Sequence, residues 1–416
     1  MSAAVYLLLF AIGLFALYLL YSAGCLRSWR GTAVSVLLLA IALGLRAYVF
    51  PYETLDYQNF LARWVEYFRS HGHFLALRDS IGNYNIPYLY FLALFSLSDI
   101  YDLYLIKLLS TFFDVVLAWA SMKLASRFVK SAAAQLACFF TVLFLPTVFF
   151  NGALWGQCDS TYSAMIVLAL YLAIDGKPVR SMICAAVSFG FKLQAVFVLP
   201  VFAVLWFYGK FSWKHFLIFP AAYVALVLPA VLFGRPFLDT VTLYLSQTGS
   251  IGSALNYNSS SVFAFFPGVT DTTLASNIGI AAAFAFSAVL LLVCLVCRRR
   301  LSDRAVLASA LLFAVGIPFL LPHMHDRYFF CADVLSVVLA FSSIKYVLAA
   351  PLTQFASLLG YYAYLKMCFL LPMRCGSAAL IVVLALGLTA FLSALVYPSM
   401  SGGESDRNGK IMLDKS

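Results

Sequence analysis

The chain has 416 residues, 64% of them hydrophobic and 11% charged, and its mean hydropathy of +0.95 excludes an ordinary soluble domain. A net charge of +10 would suit a nucleic-acid partner, but the Lys and Arg lie in short clusters between apolar runs, where orientation in a bilayer accounts for them, so no nucleic acid is expected. Nine cysteines, an odd number without framework spacing, exclude a disulfide scaffold.

The apolar runs are continuous rather than alternating, and they reach the roughly 17–25 residues that carry a helix across a hydrocarbon core of about 30 Å. Only helices and closed barrels satisfy backbone polar groups there, so the sequence predicts an all-α polytopic membrane protein. In chain order, spans are expected near residues 3–22, 32–50, 101–125, 131–150, 160–174, 181–190, 195–208, 214–234, 277–298, 304–322, 328–347, 350–366 and 376–397, about thirteen in all. The run at 3–22 lacks a basic segment ahead of it, and Ser22-Ala23-Gly24-Cys25 lacks the leucine of a good lipoprotein site, which makes it a retained span. If every segment crosses, Arg27/Arg30, Arg127/Lys130, Lys177/Arg180, Lys210/Lys214, Arg298–Arg300/Arg304 and Lys345 share one side. By the positive-inside rule that side is cytoplasmic; the N-terminus is then outside, and the polar tail from Gly402 to Ser416 is inside and disordered.

The opposite face receives the unusual polar residues. A large first outer loop, 51–87, carries Glu53, Asp56, Tyr57, Trp64, Glu66, His71, His73 and Asp79. Asp56 lies close to a span's end, where an acid could reach a substrate held at the membrane surface. Residues 88–97 are too short to span and suit a helix lying in or dipping into the interface. Trp155-Gly156-Gln157-Cys158-Asp159 follows the fourth span; hydrogen bonding to neighbouring loops and a sugar-contacting role are both open to it. Residues 181–208 hold two half-spans around Gly190-Phe191-Lys192-Leu193-Gln194, and such breaks are tolerated where they line a cavity. A lone ammonium there needs an anion, either an internal partner such as Asp159 or a bound phosphate, and the phosphate is favoured.

Leu321-Pro322-His323-Met324-His325-Asp326-Arg327-Tyr328 is the densest polar cluster. If Pro322 starts a helix, His323 and Arg327 share a face at i, i+4, and Arg327 can grip phosphate oxygens in its fork. HxHD holds enough ligands for zinc, but no second ligand motif accompanies it, so anion binding is more economical and no metal is expected. Asp114, in mid-span two turns after Lys107, reads as structural, and Cys294/Cys297 beside Arg298–Arg300 as packing at a helix end.

In their order, an acid in the first outer loop, WGQCD, FKLQAVFVLP on a broken helix and a late LPHMHDRYFF, these stretches resemble the GT-C superfamily of integral-membrane glycosyltransferases. The likeness is strongest to bacterial mannosyltransferases related to the second mannosyltransferase of GPI-anchor synthesis, and FKLQ is similar to the FKQ-type segment of dolichol-dependent glucosyltransferases. It implies a GT-C-like catalytic core over 32–347, an extra N-terminal span and cytoplasmic loop at 1–31, C-terminal spans over 348–401 and a polar tail at 402–416. It further implies a polyprenyl-phosphate-linked sugar donor and an inverting, metal- and cofactor-independent transfer, of mannose by family analogy, at the outer face of a bacterial plasma membrane. The implied acceptor is a hydroxyl on a glycan, lipid or protein, and the chain is expected to act as a monomer in the lipid bilayer. Asp56 takes the place of the family's first-loop acid and would be the general base. Lys192 and Arg327, assisted by His323 or His325, would hold the donor phosphate. Trp155, Gln157, Asp159, Gln194 and Tyr57 would line the sugar or acceptor pocket. The rival readings are a transporter or lipid flippase, disfavoured because only one broken hairpin is found and no inverted counterpart, and a lipid-linked glycan polymerase or ligase.

Overall fold

A computed structural model describes residues 1–248 and 252–397; the tail from Gly402 lies outside the described residues. Helices α1 (Ala3–Ser22) and α2 (Trp29–Val49) open the chain. A π-helical turn, Tyr57–Leu61, runs into α3 (Ala62–Ser70), and α4 (Ile86–Phe95) and α5 (Asp102–Ala125) follow. Next come α6 (Ala132–Leu143), α7 (Pro146–Phe149) with its π-helical extension Phe150–Trp155, α8 (Asp159–Ile174), α9 (Pro178–Phe191), a 3-10 turn at Leu193–Phe197, α10 (Val201–Phe207) and α11 (Ile218–Leu232). Two short helices, α12 (Phe237–Val241) and α13 (Leu243–Thr248), precede α14 (Thr272–Val296), α15 (Asp303–Leu320), α16 (Phe330–Ser342), α17 (Ala349–Lys366) and α18 (Met373–Val396). The described strands are β1 (Asn256–Tyr257) and β2 (Met324–His325), paired in parallel.

This is an all-helical membrane protein. Seven described helices are long and apolar enough to cross, among them α1, α2, α5, α14, α15 and α18; α6 with residues 146–155 makes an eighth if that pair, bent by 48°, is one span. The bend falls at Leu145-Pro146, where the ring removes a backbone donor and disfavours helical geometry in the residue before it. Residues 86–95, 159–174, 178–191, 193–207 and 330–342 form shorter apolar helices.

Helices α5 and α15 are buried along 83% of their apolar windows, against 33% for α1 and 22% for α2 and α14, so α5 and α15 form the centre and the others face lipid. Helix α8 lies against α5, and the buried Ser160 at its start bonds Asp114 across that contact.

Residues 86–95 form α4, in which Ile86, Tyr88, Leu89, Leu92 and Ala93 are buried against neighbouring elements. One expectation is corrected. Residues 322–328 are not a helix beginning at Pro322. His323 has φ of 62°, and Met324–His325 is extended and pairs with β1, so His323 and Arg327 share no helical face.

Asp114 is structural, as expected, but its partner is Arg46. Arg46 Nε and Nη2 donate to Asp114 Oδ2 at 3.1 and 3.0 Å, with exposures of 1% and 0%. Ser160 donates to the other oxygen of Asp114. At the far ends of α5, α8 and α15, Arg127, Lys177 and Lys210 pair with Asp175 and Asp303. The bundle thus carries a basic end and, opposite it, the end where the remaining polar stretches meet.

Candidate functional site

Asp56 enters this second end on the first helical turn after the loop at 51–54. Thr54 anchors that turn: its buried hydroxyl donates to the carbonyl of Trp155 at 3.1 Å and accepts from the Tyr57 amide at 3.4 Å. Asp56 Oδ2 then accepts two hydrogen bonds, from Trp155 Nε1 at 2.9 Å and Gln157 Nε2 at 2.8 Å. The Asp56 carboxyl is half-exposed and Trp155 is 1% exposed, so a fixed, buried wall holds a carboxylate at the edge of solvent.

The wall follows from its local sequence. The π-helix over Phe150–Trp155 ends in Gly156 at φ 82°, a conformation in which a side chain is strained. The Gln157 amide returns to the Asn151 carbonyl at 2.9 Å, and Ser110 Oγ holds the Gln157 carbonyl at 2.6 Å. Tyr84 donates to Gln157 Oε1 at 3.0 Å, which leaves Nε2 to face Asp56. On the far side, the ring of Tyr364 stacks on Trp155 at 4.1 Å and 11°, and its hydroxyl accepts from the Asp56 backbone amide at 3.1 Å.

A buried charge cluster lies behind this wall. Asp159 opens α8 at 0% exposure, where the helix N-terminus favours an anion. Its Oδ1 accepts from Lys192 Nζ at 2.6 Å and its Oδ2 from Asn151 Nδ2 at 2.8 Å. Asn151 also donates to the Tyr361 hydroxyl at 3.1 Å. Lys192 sits at the break after α9 in extended geometry. Of the two partners open to it, the internal one, Asp159, is the one it holds.

Arg327 reaches the same acid: its Nε is 3.9 Å from Asp159 Oδ2 and has no hydrogen-bond partner among the described residues. Its Nη1 lies 3.3 Å from Asp326 Oδ1, and its Cζ lies 5.3 Å from the centroid of the Trp155 ring. Arg327 therefore touches both the wall that holds Asp56 and the buried pair. Burial pushes the Asp326 carboxyl up to about 7, against the opposing pull of Arg327. Burial, aided by Arg327 and Lys192, pushes His325 down to about 4, so its imidazole is neutral near pH 7. His325 stacks on Tyr257 at 4.7 Å and 11°, which fastens the 252–271 segment to the site.

The structure thus gathers Asp56, Trp155, Gln157, Asp159, Lys192 and Arg327, with His325 beside them. It turns His323 and Tyr57 elsewhere. His323 is turned away, with Nδ1 2.7 Å from the Ala254 carbonyl and Nε2 3.2 Å from Ser276 Oγ, because its left-handed backbone points the ring outward. Tyr57, about 100° round the helix from Asp56, is buried edge-on against Tyr101 at 6.0 Å. Gln194 is partly buried, and its Oε1 has no partner among the described residues. Glu53, Glu66 and Asp79 are engaged by Tyr101, Arg69 and Tyr67 respectively.

Sequence reasoning missed Tyr84, Asn151, Tyr361 and Tyr364. The last two sit three residues apart in an apolar run, and that spacing on one helical face was the available signal. Beside the site, an apolar groove of about 810 Å³ opens between the 254–272 segment and Phe369–Arg374. Comparison of the chain with protein-family models and with curated proteins finds no match.

Proposed function

We propose that the protein is an integral-membrane glycosyltransferase that moves a sugar from a polyprenyl-phosphate donor to an acceptor hydroxyl on the outer face, with inversion at the anomeric carbon and without a metal. The observation that carries this reading is the pairing of a half-exposed carboxylate, Asp56, fixed by two N–H donors, with a guanidinium over the same indole. A carboxylate within hydrogen-bond reach takes the acceptor's proton as the new glycosidic bond forms, a role that contributes about 10²–10⁴-fold. Arg327, whose Nε has no hydrogen-bond partner among the described residues and whose fork suits phosphate, stabilises the charge that develops on the leaving polyprenyl phosphate, usually the larger effect. Lys192, which shares Asp159 with Arg327, adds a second cation toward the donor phosphate. Tyr364, partly exposed and stacked on Trp155, borders the sugar, while the buried Trp155 and Gln157 shape the pocket from behind by holding Asp56.

The GT-C-like fold, the full set of about thirteen crossings and the bacterial plasma membrane belong to the same proposal. The sequence motifs support them, as does the gathering of the motif-bearing stretches at the end of the bundle opposite the basic clusters. The apolar groove lined by Phe265, Phe266 and Leu370 suits the isoprenoid tail of such a donor. The test is to present the purified protein in nanodiscs with a panel of polyprenyl-phosphate sugars: consumption of one of them supports the reading, and inertness toward all, with acceptor extract present, contradicts it.

A further inference from the structure

One fully buried charge has no part in this chemistry. Lys107, in the first half of α5, is 0% exposed. Its ammonium donates to the backbone carbonyls of Val49 (3.4 Å), Phe50 (2.9 Å) and Tyr52 (2.6 Å). Among the described residues it makes no ion pair, unlike Arg46 with Asp114 or Lys192 with Asp159. An ammonium taken out of water costs several kcal/mol, offset here by the negative end of α2, whose last carbonyls have no partners within the helix. Three carbonyls use all three of its protons, so no donor remains for a substrate.

What those carbonyls control lies immediately downstream. The chain leaves α2 through Phe50 and Tyr52, and two residues later Thr54 bonds the Trp155 carbonyl and Asp56 meets Trp155 and Gln157. The other flank of the Lys107 side chain faces the turn that carries those partners: a Cβ built at Gly156 would lie 3.9 Å from Lys107 Cε. A single side chain therefore runs between the segment that delivers Asp56 and the turn that delivers its two donors.

We propose that Lys107 is a positioning residue for Asp56: by gripping the exit of α2 and packing under the Gly156 turn, it sets the distance at which the carboxylate meets Trp155 and Gln157. This rests on the reading of Asp56 as the base, but its geometric half can be tested without turnover. In the full-length protein in nanodiscs, Lys107→Met keeps length and apolar bulk and removes the grip. Amide exchange over residues 50–58 and 150–158 should rise together by at least about tenfold, with α14 and α15 unchanged, while Lys107→Arg keeps much of the protection. With a donor that the wild type consumes, kcat should fall about 10–100-fold at near-constant KM. The same substitution should cost little further in an Asp56→Asn background, because it acts through that carboxylate. Wild-type exchange in both segments overturns the proposal. So does exchange raised throughout the bundle, or a variant that does not fold, since the role assigned is local. If no donor is consumed, the glycosyltransferase reading falls and the exchange comparison still decides Lys107.

Discussion

Replacing Asp114 by Asn should be among the most destabilising single changes in the bundle. It removes a charge and leaves shape almost intact. Arg46 gives Asp114 Oδ2 two hydrogen bonds at 3.1 and 3.0 Å, and neither side chain has more than 1% exposure. The guanidinium would keep the Leu143 carbonyl at 2.8 Å and the Ala42 carbonyl at 3.2 Å, but neither carries a full charge. Breaking a buried pair by removing one partner costs about 3–5 kcal/mol, because the other charge stays behind uncompensated. Asn still accepts one hydrogen bond, so the lower end, ~3 kcal/mol, is expected, about a hundredfold in the folded-to-unfolded ratio. The assay is denaturant unfolding in mixed micelles across a cycle of Asp114→Asn, Arg46→Met and the double variant. The double variant should be more stable than Asp114→Asn alone, since it carries no orphaned charge. Asp114→Asn within about 1 kcal/mol of wild type, with additive effects across the cycle, would refute this reasoning.

Other outcomes follow from the same coordinates. Asp326, pushed up to about 7 from 3.8, binds more protons folded than unfolded between those values, so its contribution to stability is present below pH 3.8 and is lost as pH rises through about 7. The difference in melting temperature between wild type and Asp326→Asn should therefore fall from about pH 5 to about pH 8; a difference independent of pH would contradict the assignment. Lys192→Ala strands the fully buried Asp159 and should destabilise the protein by about 3–5 kcal/mol with or without donor, whereas Lys192→Arg should recover part of it; a neutral Lys192→Ala would deny the ion pair. Exposed Cys368 lies between α17 and α18, next to the segment lining the groove beside the site, and should react with an impermeant thiol reagent from outside. Exposed Lys130, changed to Cys in a Cys368→Ser background, should not; equal labelling would overturn the two-ended orientation.

Apolar length made the long helices legible: 3–22 is α1 to the residue, and the spans expected at 101–125 and 304–322 differ from α5 and α15 by at most two residues at either end. Length said less about the short helices: nothing in the composition of residues 88–97 shows that one face of α4 is buried against protein. The polar residues of the site were visible as departures from an apolar background, but their pairings were not. Asp56 and Trp155 are 99 positions apart, and the contacts around their meeting, from Ser110 and Asn151 to the Gln157 turn and from Lys107 to the chain ahead of Asp56, are invisible in sequence. No motif marks Arg46 as the partner of Asp114: the seven-residue spacing from Lys107 is visible in sequence, and an ion pair between α2 and α5 is not. The histidines misled for a local reason, because a left-handed residue at His323 cannot be read from the string PHMHDR.

The most direct measurement is the single-turnover rate of sugar transfer by Asp56→Asn in nanodiscs, with a saturating polyprenyl-phosphate sugar that the wild type consumes and with donor binding measured in parallel. The amide can still accept from Trp155 Nε1 and Gln157 Nε2, so the wall is kept while the base is lost. Transfer should slow by at least about a hundredfold with donor affinity little changed, and alanine at Glu53, Glu66 or Asp79 should cost far less. Near-normal transfer by Asp56→Asn, with loss of transfer on replacing one of those three or Asp159 instead, would contradict the assignment of Asp56 as the base.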